Sequence, residues 1–395
     1  MSKRRYAGRS AFRLVELQMR IGFDARWYND SGVGTYVAGL LAALAECGRD
    51  CELVVYENPE NPVPGLEGFS VARIPVQSRK YSIGEQWELA RRCSRDRLDL
   101  LHCPFFVAPY AAPCPVVITI HDLIPFLFRI YSYPKQLLIK MAYRAATVRA
   151  AHIIAVSETT SRDIQRVLNV PPENISVVYN AVSPSQFHSH ATQSELRYLQ
   201  RKFGILSRYV VISTPRNWRT KNLATALKAL AVMQTRVEQG FQIVAYGPGD
   251  GLNTIAEANI LNGSLLRTGF ISAEELGMLF RHAHAFLLTS LYEGFGLPLL
   301  EAMSCGCPVV TAKGGSLGEI AGDGAQVLDV FDVEGMGAAL ALLLESEKVR
   351  NHWRECALRR AAQFSWTRAA EQTLGVYRQI CHASSASKAE SCLQA

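Results

Sequence analysis

Glu293 and Glu301 stand with seven residues between them around the turn Gly294-Phe295-Gly296-Leu297. Two carboxylates beside a glycine-rich turn suit the hydroxyl groups of a sugar. The glycines allow a tight turn and a close backbone approach to a ligand. Pro298 stands where a helix begins and Cys305-Gly306-Cys307-Pro308 where it stops, so the spacing predicts a short helix over 298–304 with proline at its first position. The unpaired N–H groups of that first turn face the same space and favour an anion, phosphate above all. One stretch thus offers sugar and phosphate contacts together.

Three further groups of residues are placed to assist. Arg216, Arg219 and Lys221 precede a helix read over 223–233, where positive charge opposes the helix dipole and is better tolerated if an anion binds. Gly32-Val33-Gly34 lies between an apolar strand at 19–24 and an apolar helix from Tyr36 onward. Alone it is a weak sign, because the full dinucleotide fingerprint and its following acidic residue are absent. His121 and Asp122 end a buried strand that begins at Pro115, and ligands of open parallel sheets bind at the carboxyl ends of strands.

The elements that must position these residues read as two repeats of one pattern. Apolar runs at 19–24, 51–56, 98–102, 115–121, 151–157 and 175–180 alternate with helices and predict a doubly wound parallel sheet. A polar stretch at 181–206 reads as a connection, after which strands recur at 208–214, 241–246, 265–271, 283–289 and 308–311. A chain of 395 residues exceeds what one core usually serves, so two domains follow, at 21–185 and 207–365. Residues 1–20 form a basic extension, and a Ser/Ala-rich tail at 383–395 is expected to be disordered.

Composition narrows the class. Half the chain is apolar (49%) and 19% charged, as in ordinary globular proteins. The net charge of +7 comes without a basic–aromatic repeat, which argues against nucleic acid as a partner. Ten scattered cysteines without a Cys-x2-Cys pair are read as reduced, and no metal site is expected. Proline residues break the long apolar stretch 101–128, so it is not a spanning helix. Between Asp122 and Glu158 no acidic residue occurs, while Arg129, Lys135, Lys140, Arg144 and Arg149 do. That window is either a solvated helix face or a contact for an anionic membrane surface or a phosphorylated acceptor.

The string from Thr289 to Glu301 resembles the Glu-x7-Glu motif of the retaining family 4 glycosyltransferases (glycosyl transferases group 1), and Pro298 through Glu319 continues the likeness. The resemblance implies the GT-B fold: two Rossmann-like α/β domains facing a cleft, the first binding the acceptor and the second a nucleotide-diphosphate sugar, with a C-terminal helix at 366–382 crossing back to the first. It implies that His121 and Glu293 act at the reacting sugar. Donor contacts would come from Gly32, Val33, Gly34, Arg216, Lys221, Gly294, Phe295, Gly296 and Leu297, with Glu301 holding the ribose. Gly318 stands where the family's Pro-Glu-x-x-Gly-Asp segment has proline. No Asp-x-Asp string occurs, so transfer is expected to proceed without metal or other cofactor. Phe23-Asp24-Ala25-Arg26, Ser31 through Thr35 and His121 through Pro125 look most like bacterial mannosyltransferases of polysaccharide assembly. They imply GDP-mannose as donor and a glycan or lipid-linked acceptor, handled in the cytoplasm or peripherally at the membrane. Transferases using UDP-glucose or dTDP-rhamnose, a GT-B epimerase or phosphorylase, and an inactive scaffold are the alternatives; fold alone does not separate them.

Overall fold

The computed structural model describes residues 19–48, 50–205, 208–214, 220–238, 240–248 and 264–393. Strands β1 (Met19–Asp24), β2 (Cys51–Glu57), β3 (Val71–Pro75), β4 (Leu100–Cys103), β5 (Val116–Ile120), β6 (His152–Ala155) and β7 (Ile175–Val177) form one sheet in the order β3-β2-β1-β4-β5-β6-β7. Every pairing in it is parallel. Parallel strands need covering on both faces, and the connecting helices supply it: α1 (Ser31–Cys47), α2 (Ile83–Arg95), α3 (Ile124–Leu127), α4 (Tyr133–Arg149) and α5 (Glu158–Leu168). β5 is consequently buried at all five positions.

After α6 (Gln193–Phe203) the pattern restarts. Strands β8 (Tyr209–Ser213), β9 (Gln242–Tyr246), β10 (Leu265–Gly269), β11 (Ala285–Leu288), β12 (Val309–Ala312) and β13 (Gln326–Leu328) pair in the order β10-β9-β8-β11-β12-β13, again all parallel. Helices α7 (Leu223–Gln234), α8 (Ala273–His282), α9 (Leu297–Ser304), α10 (Leu317–Ala321), α11 (Val333–Glu345) and α12 (Glu347–Ala361) accompany them, and α13 (Trp366–Leu393) ends the described chain. Strand order reverses at β1/β4 in the first sheet and at β8/β11 in the second, and crevices for ligands open at such points. The connection that leaves β1 runs into the first turn of α1, which carries Gly32, and the loop that leaves β11 carries Glu293.

α13 belongs to the first domain by packing. Its Ala369, Ala370, Leu374, Val376 and Tyr377 are buried in the cluster formed by Ile21 and Phe23 of β1 and by Leu40, Leu41 and Leu44 of α1. The Tyr377 hydroxyl meets Nδ1 of the buried His102 at 2.5 Å, and Nε2 of that ring meets Thr119 Oγ1 at 2.8 Å. Arg378 Nε donates to Asp50 at 2.7 Å.

Several expectations change. Residues 193–203 of the polar connection are helical, because Thr192 and Glu195 form a reciprocal capping box and Glu195 also binds Arg281 of α8. Gly32-Val33-Gly34 lies in the first turn of α1 rather than in a loop before it, with the Gly34 N–H donating to the Asp30 carbonyl at 2.7 Å. Helix α9 starts at Leu297, so Pro298 is its second residue. The segment 383–393, read as a tail, continues α13, in keeping with the good helix propensity of its Ala, Lys and Glu residues. Of the basic extension, only Met19 and Arg20 fall among the described residues, and they already belong to β1. No helix among the described residues is long and apolar enough to cross a membrane.

Candidate active site

The end of β11 is joined to the turn that opens α7. Thr289 Oγ1 donates to the carbonyls of Lys221 (3.1 Å) and Asn222 (3.0 Å), and the Leu291 N–H donates to the Thr220 carbonyl at 2.9 Å. This join delivers Lys221 Nζ to Glu293 Oε1 at 2.5 Å, where Ser290 Oγ also donates at 2.6 Å. Glu293 is 8% exposed, so its charge is held by these two partners more than by water. Its carbonyl accepts from both the N–H and Oγ of Ser316, at 3.0 and 3.1 Å, which fixes the backbone from the opposite side. Gly296 then turns the chain into α9 with φ of 94°, a left-handed conformation that glycine adopts without strain. Glu301 lies one turn further on, and burial pushes its carboxyl up to about 7.

The first domain meets this loop with the end of β5. His121 Nε2–H donates to the Pro104 carbonyl at 2.8 Å, and burial lowers the ring's pKa to about 4. A carbonyl only accepts, so Nε2 carries the proton and Nδ1 of the neutral ring is left as an acceptor. The Asp122 carboxylate accepts from the Ile124 N–H at 2.9 Å, and its pKa is raised by burial and then by the negative charge of Glu293. Gly294 makes this junction possible, for a Cβ there would lie 1.8 Å from the His121 carbonyl oxygen. A Cβ at Gly32 would lie 3.7 Å from Leu297 Cδ1, so the start of α1 also faces the start of α9.

Helix α5 fastens the two domains beside that junction. Ser157 Oγ and Thr160 Oγ1 both donate to the Gly294 carbonyl, at 2.6 and 3.1 Å. The Glu319 carboxylate, from the second domain, accepts from the N–H groups of Glu158 (2.7 Å) and Thr159 (2.9 Å) and from Thr159 Oγ1 (2.8 Å). An anion thus caps the α5 N-terminus, as its dipole favours. Tyr292 OH donates to Asp163 Oδ2 at 2.7 Å. The loop that holds Glu293 is therefore shaped by side chains of the other domain.

A cavity of about 290 Å³ lies at the carboxyl end of the second sheet, lined by Thr214, Lys221, Tyr246, Phe270, Glu293 and Pro298 among others. Its lining combines the rings of Tyr246 and Phe270 with the Lys221–Glu293 pair, and Pro298 brings in the first turn of α9. Among the expected site residues, the fold brings together Lys221, Glu293, Gly294, Phe295, Gly296 and Leu297, and sets Gly32, Val33, Gly34 and His121 opposite them. Arg216, like Arg219, lies outside the described residues. Among the described residues no three His, Cys, Asp or Glu side chains cluster as a metal site needs. Ser157, Thr160, Asp163 and Tyr292 escaped the sequence reading. The surplus of capping residues at 157–161 was their one visible signal.

Residues 31–186 match the family model described as Glycosyltransferase Family 4, and residues 199–360 the model described as Glycosyl transferases group 1. The O-antigen chain mannosyltransferase B of Escherichia coli is 28% identical over 387 residues, covering 89% of this chain and 97% of that protein. The MMP alpha-(1->4)-mannosyltransferase of Mycolicibacterium hassiacum is 30% identical over 236 residues, 57% of each chain. Among solved structures, Anabaena HepE in complex with UDP-glucose superposes with a TM-score of 0.71 at 19% identity, covering 91% of this chain and 100% of that one. That last likeness concerns the fold.

Proposed function

Because the chain belongs to the family 4 (group 1) glycosyltransferases of the GT-B fold, we propose that it moves mannose from GDP-mannose to a glycan or lipid-linked glycan of a surface polysaccharide, with retention and without a metal ion. The observation that carries this reading is the Lys221–Glu293 pair at the start of α9, pressed through Gly294 against the His121–Asp122 backbone. Charge builds on the diphosphate as it leaves, and Lys221 and the α9 amides, aided by Arg216, stabilise it in place of a metal. Glu293 and the Nδ1 of His121 receive hydroxyls of the donor sugar. The bond from the anomeric carbon to the phosphate oxygen breaks, and the acceptor oxygen bonds to the same face. Its proton passes to the departing phosphate.

Mannose is favoured because both relatives described above are named as mannosyltransferases although their named products differ. A thermal-shift panel of nucleotide sugars tests it, since a ligand at 100 times its dissociation constant adds about 2.7 kcal/mol of stability. GDP-mannose should give the largest shift, undiminished by EDTA. A shift with UDP- or dTDP-sugars alone ends the mannose reading and leaves transfer standing, whereas a shift that EDTA removes ends the metal-free one. The proposed setting is the cytoplasmic side of a membrane, where nucleotide sugars and lipid-linked acceptors meet.

Glu301 supplies a pH-dependent consequence. Ribose hydroxyls donate to a carboxylate, and in the free protein burial keeps this carboxyl largely protonated until the pH passes about 7. Donor KM should therefore fall as pH rises through that value, with the ionised form gaining charge-assisted bonds worth about 1.5 to 3 kcal/mol. Glu301→Gln should show a high KM that no longer varies with pH. A wild-type pH profile in that variant removes Glu301 from the ribose site.

A further inference from the structure

The outer face of the first domain gathers most of the large apolar residues that are exposed among the described residues. Nine of the thirteen large apolar residues exposed among the described residues fall between Tyr81 and Val148, including Trp87 (65% exposed), Leu138 (67%) and Met141 (58%). They form one surface. Tyr110 ties α2 to α4, its N–H donating to Gln86 Oε1 at 3.0 Å and its carbonyl accepting from Arg149 Nε at 2.9 Å. Tyr81, just before α2, and Tyr131 and Leu138, in and before α4, line one cavity. A single patch of this kind marks an interaction site on a soluble domain.

Its charge is mainly positive, for Glu88, the one acid beside Trp87, already accepts from the Ser78 N–H and lies against Arg92. Lys135, Lys140 and Arg144 project from α4 with no acidic residue between Asp122 and Glu158, and Arg91 and Arg95 flank Trp87 on α2. Arg149 takes no part, because its guanidinium is spent on the carbonyls of Tyr110, Ala112 and Cys114. Amphipathic aromatics and leucines set among cations match the boundary of an anionic bilayer, where rings sit at headgroup level and aliphatic tips enter the acyl region. A protein partner would need acidic complements; a bilayer supplies negative charge at any register.

We propose that the α2–α4 face docks on an anionic lipid bilayer. The inference rests on the transferase reading for its purpose. The cavity on this face, of about 600 Å³, runs from Lys135 and Leu138 to the buried Tyr143 and to Asp122, so docking turns the acceptor side of the site toward the membrane. A lipid-linked acceptor then meets the enzyme in two dimensions rather than three.

Cosedimentation of the full chain with phosphatidylcholine vesicles, with and without phosphatidylglycerol, tests this. Each cation near an anionic surface raises partitioning about fivefold, so anionic vesicles should bind at least tenfold better at low salt and lose most of that advantage at about 0.5 M, where charges are screened within a few ångströms. Lys135→Glu/Arg144→Glu and, separately, Leu138→Asp/Met141→Asp should each lower binding at least tenfold. Their nucleotide-sugar thermal shift should match wild type, because the donor cavity lies in the other domain. Equal binding to neutral and anionic vesicles, binding to neither, or wild-type binding by either variant overturns the docking proposal. A lost nucleotide shift in the wild-type protein bears instead on the transferase reading.

Discussion

Gly294→Ala is expected to lower kcat at least a hundredfold while the protein still binds its nucleotide donor. The added carbon would lie 1.8 Å from the His121 carbonyl oxygen and 2.9 Å from the Asp122 Cβ, and the nearer atom is backbone that has no flexible end to swing aside. Relief comes only if the domains part or the loop turns away from Ser157 and Thr160. Either movement displaces Glu293 from its place opposite His121, and a misplacement of about 1 Å costs about a hundredfold in rate. Tyr246 and Phe270 belong to the second domain alone, so the nucleotide thermal shift should persist. Wild-type kcat would show that the junction is not needed for turnover, and loss of the shift would trace the defect to the loop's own folding.

Lys221→Ala is expected to reduce kcat/KM by two to three orders of magnitude, about 3 to 4 kcal/mol of transition-state stabilisation. The departing phosphate loses a charge-assisted bond of about 1.5 to 3 kcal/mol. Glu293, 8% exposed, loses its cation as well, and an uncompensated carboxylate there disturbs the loop. The two contributions separate in a double variant: Lys221→Ala/Glu293→Gln should regain thermal stability over Lys221→Ala without regaining transfer. Lys221→Arg should recover only part of the rate, since a planar guanidinium does not reproduce a compact ammonium. Near-normal kcat/KM in Lys221→Ala would remove this residue from the diphosphate site.

The strands were legible where both faces are covered, because a run such as Val116–Ile120 is buried throughout and has Thr119 as its single polar residue. Where the signal is short or half-exposed it faded: β3 and β13 were not foreseen, their positions being mostly intermediate in burial. α6 was missed although Thr192 and Glu195 form a capping box that is visible as a local pattern; its second anchor, Glu195 to Arg281, spans 86 residues and is not. The site divides in the same way. Glu293, the glycine turn and Glu301 are consecutive enough for spacing to reveal them, and Lys221 announced itself as a cation at a helix start. The hydroxyls of Ser157 and Thr160 reach a carbonyl more than 130 residues away, and that approach depends on how two domains meet, which no local pattern encodes.

The return of α13 to the first domain has a consequence for how the chain is made. Tyr377 and Leu374 complete a core begun by Ile21 and Phe23, so the domain that leaves the ribosome first lacks part of its interior until the last helix appears. About 190 residues separate its own last strand from that helix, roughly 10 to 40 seconds of synthesis at ordinary rates. During that interval the apolar face of α1, with Leu40, Leu41 and Leu44, is open to other nascent chains and to chaperones. A premature stop before residue 366 would therefore damage the beginning of the protein as much as its end.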